Sequence, residues 1–552
     1  MRNAAPQLHQ TPRKDALSYA SPNLPEGLPE GLPEVQQILA KARALTLVEN
    51  SVFDDDAETR TKLNAHGIPA DLIATQLATL KSNSSNSTAV LTSYSLLHSL
   101  QHLDVIQRSS PRRSDAADAV IAVYRCAEIC LYNIGVLSTK MIAAVSAGNA
   151  ARVTSLARWR VGFQEVLYRL SALAAEVGAD STAGDVLDIR HSRIYQDYLR
   201  QNAELQRFLM ADWPEAVADI FGKDLDDPKR FVFFNEFVNS SDERIWQSRL
   251  GAVRLPGVDR LATEDDAAFY QRVVCTEQIE LMAQALETKA DTDLLSFRAV
   301  HQIAETIAGY VNLRLCGAIE LIVSSSPEGL ADASRKLVLG NRLLSVVDDV
   351  MKLLLRALTP NAYKEIRPNL GMVKGTSSVM LRKTLFNTTY PLLLRAFKLR
   401  ITGFSPALAD DDEQVTATAR ELLDGGSPSL ADMLRQLVVL HQHVRTWRDN
   451  HQQFPKTHLG ISPLAERPTV SLSGSNSAVA IAHELRKVHG SDPIAPLYRA
   501  ALGTEPPAVH ELVTSEAFDE YMAHQTARAV FEVYSDVQER FYQRTGKPPA
   551  SS

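Results

Sequence analysis

Two histidines, His301 and His451, each fall on the apolar stripe of a long run with helical spacing. His301 lies among Phe297, Val300, Ala304, Ile307, Ala308 and Val311, at offsets of three and four. His451 continues a stripe of Leu430, Leu434, Leu437, Leu440, Val444 and Trp447. A neutral imidazole in an apolar pocket between helices is a common way to hold a b-type haem, because the iron takes the imidazole nitrogen while apolar walls bury the macrocycle. A second histidine across the pocket can hydrogen-bond bound oxygen or substrate. The same pattern also fits two histidines satisfied within a core, the commoner fate of a histidine on an apolar face. Tyr363 and Arg367 are four residues apart and share one face of a helix. The arginine fork matches a carboxylate and the tyrosine adds a hydroxyl, so the pair can hold an amino-acid carboxylate. A surface ion pair beside a packed tyrosine is the alternative. Cys126 and Cys130, one helical turn apart, could bridge a metal or simply be two small buried residues.

The elements that must position these residues are helices. From about Glu34 onward helical periodicity dominates and strand alternation is scarce, so the fold class is all-α. One helix is expected over Thr292 to Val323, a second over Ala331 to Leu358, and a third from Ser429 to Phe454, stopped by Pro455. Thr359-Pro360 reads as a cap followed by proline at the first helical position, opening a short helix that carries Tyr363 and Arg367 and ends at Pro368 and Gly371. Asp410, Asp411, Asp412 and Glu413 form an acidic loop, for which solvation is the ordinary explanation. The first half echoes the second: Tyr124 stands where His301 stands, with Ala127-Glu128 against Ala304-Glu305, and a long helix near Ala150 to Val177 follows. A degenerate duplication would give this echo, and so would two unrelated amphipathic helices.

At 552 residues the chain exceeds one typical core, and its 45% hydrophobic and 22% charged residues suit two globular units. The expected division is a flexible Pro-rich tail over 1–34, an N-terminal helical domain over 35–224 and a second domain over 225–552. A net charge of −7 argues against a nucleic-acid surface. No run of eighteen uninterrupted apolar residues marks a membrane span, and Met1 to Asp15 lack the apolar stretch of a secretory signal. Four cysteines are too few for a disulfide framework in a chain this long, which leaves the cytoplasm as the expected compartment.

Three blocks, in order, resemble the tryptophan 2,3-dioxygenase superfamily. Phe297-Arg-Ala-Val-His301-Gln302-Ile-Ala-Glu305 is similar to its Phe-x-x-x-His-Gln-x-x-Glu helix. Thr359-Pro360-Asn-Ala-Tyr363-Lys-Glu-Ile-Arg367-Pro-Asn-Leu370-Gly371 resembles its Thr-Pro-x-x-Tyr/Phe-x-x-x-Arg-x-x-Leu-Gly segment, and Gly375, Ser378 and Arg382 follow at the spacing of its glycine-rich run. Trp447-Arg448-Asp-Asn-His451 resembles its Trp-Arg-x-x-His element. The resemblance implies a helical-bundle haem domain with His451 as proximal ligand of haem b, flanked by Trp447 and Gly375. It implies His301 on the distal side, Phe297 against the substrate ring, and Arg367 with Tyr363 on the substrate carboxylate. The implied reaction is insertion of dioxygen into an aromatic amino acid, tryptophan or a derivative, by a chain able to form homo-oligomers without nucleic acid or membrane. The chain departs from the family in several places. Ile307 stands where tryptophan is usual, Thr376-Ser377 replaces Phe-Gln, and Lys374 replaces a small hydroxyl residue. The substrate-closing loop is represented only by Ser471-Leu-Ser-Gly474-Ser-Asn-Ser477. These departures keep a monooxygenase or peroxygenase of the same superfamily open, and beside it a non-catalytic haem sensor or helical interaction protein.

Overall fold

A computed structural model describes residues 33–46, 114–178, 184–211, 241–258, 260–276, 292–324, 327–366, 388–425, 427–459 and 494–503, with isolated positions near 280 and 384. Residues 1–32, the expected domain boundary at 224/225, Arg367, Lys374, Gly375 and the serine-rich stretch at 471–477 lie outside them. The fold is all-α. Its helices are α1 (Pro33–Thr46), α2 (Asp115–Ser146), α3 (Ala150–Gly178), α4 (Arg193–Ala211), α5 (Ser241–Leu250), α6 (Asp266–Val274) and α7 (Thr292–Ser324). They continue with α8 (Pro327–Ala357), α9 (Pro360–Ile366), α10 (Thr389–Ile401), α11 (Pro406–Ala409), α12 (Asp412–Leu423), α13 (Pro428–Leu459) and α14 (Ala495–Leu502). Among the described residues the strands are β1 (Asp185–Leu187) and β2 (Val253–Leu255), an antiparallel pair with Val186 opposite Arg254.

Helices α2 and α7 form the centre. Ser114 caps α2 by accepting from Ala117 N at 3.1 Å, and Asp115 and Asp118 face the positive end of its dipole. Both helices are long and apolar enough, by length and composition, to cross a membrane, although neither contains eighteen uninterrupted apolar residues. In this fold their most apolar windows are 94% and 78% buried against other helices, as expected of a core helix that is hydrophobic all round. They pack on each other, α3 covers α2, α8 covers α7, and α13 lies along α8. Helix α1 packs on α7 and α10, held by Arg395, which grips the Glu34 carboxylate at 2.6 and 3.1 Å. One continuous core runs through all of these, from Val35 to Tyr498.

Several boundaries differ from expectation. Helix α13 does not stop at Pro455 but continues to Leu459. A proline removes its own N–H and crowds the carbonyl four residues back, and so close to a helix end only one backbone bond is at stake. The acidic run is structured rather than merely solvated. Asp411 caps α12 by accepting from Glu413 N and Gln414 N, Asp410 pairs with Arg395 at 2.6 Å, and Asp412 pairs with Lys398 at 3.7 Å. All four cysteines are buried and outside any disulfide, and burial pushes the Cys126 and Cys130 thiols far up, so both are protonated at neutral pH in the metal-free fold.

Candidate functional site

The Phe297/His301 pair follows from helical spacing: four residues apart on α7, the two rings lie one above the other, with centroids 4.3 Å apart and planes at 33°. Tyr363 arrives from α9. Thr359 positions that short helix by accepting from Ala362 N at 3.2 Å, and Pro360 supplies the helical φ at its first position. Helix α9 packs against α7 and α13, which brings the Tyr363 ring to 6.5 Å from that of Phe297. The three rings form one buried cluster from two sequence blocks.

His301 has a defined protonation state. Its Nδ1 lies 2.8 Å from the Phe297 carbonyl oxygen, and a carbonyl can only accept, so Nδ1 carries the proton. Burial lowers the pKa, opposed by the hydrogen bond to Phe297 and by the nearby Glu305 carboxylate. The ring is therefore neutral near pH 7, with its lone pair on Nε2. That nitrogen has the chemistry of a hydrogen-bond acceptor, a general base or a metal ligand. Among the described residues no three His, Cys, Asp or Glu side chains cluster as a metal-ion cage. A haem iron takes only one or two protein ligands and needs no such cage.

Of the other expected site residues, Trp447 on α13 is buried in the common core. The α13 backbone remains helical through position 451, which puts His451 one turn beyond Trp447. Arg367 follows the last residue of α9, and it and Gly375 fall outside the described residues. The structure thus brings Phe297, His301 and Tyr363 together, and α9, which carries Tyr363, also contacts the helix carrying Trp447.

Two polar sites escaped the sequence reading. His441 is buried on α13, with Nδ1 2.9 Å from the Tyr390 hydroxyl and its ring edge-on to Tyr498. The signal was present, since position 441 is four after Leu437 and three before Val444 on the same stripe. The second site surrounds Glu128, which is fully buried on α2. The Tyr270 hydroxyl of α6 donates to Glu128 Oε1 at 2.5 Å, and the adjacent Arg125 donates to the Val274 carbonyl at 3.0 Å and to Tyr310 at 3.0 Å. Burial raises the Glu128 pKa to about 7, against hydrogen bonds from Tyr270 and Ser192 and with Glu280 adding like charge. Comparison of the chain with protein-family models, with curated proteins and with solved structures finds no match to any of them.

Proposed function

We propose that the chain is a haem-dependent oxygenase acting on an aromatic amino acid, tryptophan or a derivative. In this reading residues 225–552 are a haem domain of the tryptophan 2,3-dioxygenase type and residues 35–224 a haem-less helical unit. The observation that carries the proposal is the buried meeting of Tyr363 with the Phe297/His301 pair, which brings together two separate sequence blocks that resemble a substrate site. His451 would hold haem b as proximal ligand, beside Trp447 and Gly375. Haem bound there would supply the activation of dioxygen, which no side chain can provide. Arg367 and Tyr363 would hold the substrate carboxylate and Phe297 would pack on the aromatic ring, fixing the reacting carbon in one place. His301, with its lone pair on Nε2, would accept a hydrogen bond from the ring N–H or O–H of the substrate. Four free cysteines suit a reducing cytoplasm.

The direct test is the visible spectrum of the purified chain and of His451→Ala, both reconstituted with haemin. The parent is expected to show a strong Soret band that shifts or disappears in the variant. If neither protein binds haem, the oxygenase reading fails and the helical scaffold takes its place. A second reading, mono-oxygenation, is favoured by Ile307, a fully buried aliphatic residue where the resembled family has tryptophan. Product mass separates the two: ring cleavage with two oxygen atoms added, or hydroxylation with one.

A further inference from the structure

Helices α2 and α7 begin 177 residues apart, at Asp115 and Thr292, and helices α3 and α8 do the same, at Ala150 and Pro327. The second helix of each pair therefore starts 35 residues after the first in both halves. At this spacing Ala122-Val123 and Ala127-Glu128 fall on Ala299-Val300 and Ala304-Glu305, and Asp188-Ile189-Arg190 falls on Glu365-Ile366-Arg367. Ile189 and Ile366 are both buried. The pattern of packing repeats as well: α4 returns onto α2 and α5 onto α3, as α10 returns onto α7 and α13 onto α8.

The two units face each other about a twofold axis. On α2 and α7 the contacts run Asp118 with Arg314, Arg125 with Tyr310, Cys126 with Ile303, and Val136 with Leu295, so the helices are antiparallel. Cys126 and Ile303 are themselves 177 residues apart, and the axis passes where equivalent residues meet. Helices α3 and α8 obey the same operation, with Glu165 on Arg356, Arg169 on Asp349 and Glu176 on Arg342. The flanking contacts correspond too. Trp159 and Lys336 are equivalent positions, and each reaches the first turn of the other unit's central helix. Trp159 Nε1 donates to Asp293 at 2.6 Å, and Lys336 pairs with Asp115. Two unrelated amphipathic hairpins would pack antiparallel, but nothing would make their start-to-start spacing and their cross-contacts obey one operation.

The first unit has lost what the second keeps. Tyr124 occupies the position equivalent to His301, and its buried hydroxyl lies 2.9 Å from the Leu250 carbonyl and 3.3 Å from that of Leu187. Arg190, equivalent to Arg367, is engaged by Asp188, with both carboxylate oxygens 2.9 Å from Nε. We propose that residues 115–191 and 292–368 are two copies of one helical unit, and that the first has become a built-in partner. It presents to the second copy, within one chain, the surface that another copy of the unit would otherwise bring. This does not depend on the haem reading.

The test introduces a protease site into residues 284–291 of the full chain, with Glu34→Lys throughout to remove the α1 clamp. Before cleavage the chain is expected to run as a 60.8 kDa monomer. After cleavage the two fragments should stay together as one species of the same mass, with unchanged helical circular dichroism. Arg314→Asp should weaken that association at least tenfold, Arg314→Asp with Asp118→Lys should recover it, and the milder Lys336→Ala should fall between. Fragments that separate freely when cleaved would overturn the proposal, as would an association indifferent to Arg314 and Lys336. An intact chain that dimerises through its second copy would overturn it too.

Discussion

Burial acts in opposite senses on Glu128 and His301. Glu128 holds its proton more tightly folded, to about pH 7, than unfolded, near 4.5. Its stabilising contribution is therefore complete below pH 4.5 and is lost as pH rises through 7. A gap of that size corresponds to about 3 kcal/mol. Urea midpoints compared between the parent and Glu128→Gln should diverge by that order between pH 5 and pH 8, with the parent losing stability. Matched pH profiles would show instead that Glu128 titrates normally. His301 works from the other side: its folded pKa lies below 6.5, so the unfolded chain takes up the proton first and stability falls as pH drops below 6.5. In His301→Gln that acid-side loss should shrink. The Phe297/His301 pair was legible in the sequence because four residues along a helix bring rings together. The surroundings of Glu128 were not, since Tyr270 is 142 residues away and only tertiary packing joins them.

At the level of elements, periodicity gave α7 to within a residue of its observed end and α8 to within four at its start, because both present continuous apolar stripes. It missed the antiparallel β1/β2 pair, whose three-residue strands are too short for alternation to register. It also ended α13 at a proline that the helix tolerates. Close packing between helices was invisible to it as well. On α3, Gly162 lies against Leu353 of α8, and a Cβ there would overlap Leu353 Cδ1 in a fully packed seam. Alanine in a helix interior gains about 1 kcal/mol over glycine, whereas overpacking a core costs about 1–3 kcal/mol. Gly162→Ala should therefore lower the melting temperature despite its better helix propensity. Adding Leu353→Val should return part of the loss, and a Gly162→Ala chain that melts higher than the parent would mean that the seam yields.

For the whole molecule, the length suggested two units, and the described helices of both share one core from Val35 to Tyr498. Coupling through so much buried surface predicts one calorimetric transition for the described core, and two separated transitions would show that the halves unfold independently. The placement of α1 bears on how that core is assembled during translation. Glu34 is clamped by a residue 361 positions later, so α1, the first of the described helices to be made, packs on α7 and α10, which are made long afterwards. At typical synthesis speeds of about 5–20 residues per second, the wait is roughly 20–70 s. For most of that interval, until α7 is made, the apolar face of α1, with Val35, Ile38, Leu39 and Ala42, has no native surface to cover it. Nascent chains stalled before residue 292 should therefore recruit a holdase chaperone through this helix and release it as α7 and then α10 emerge.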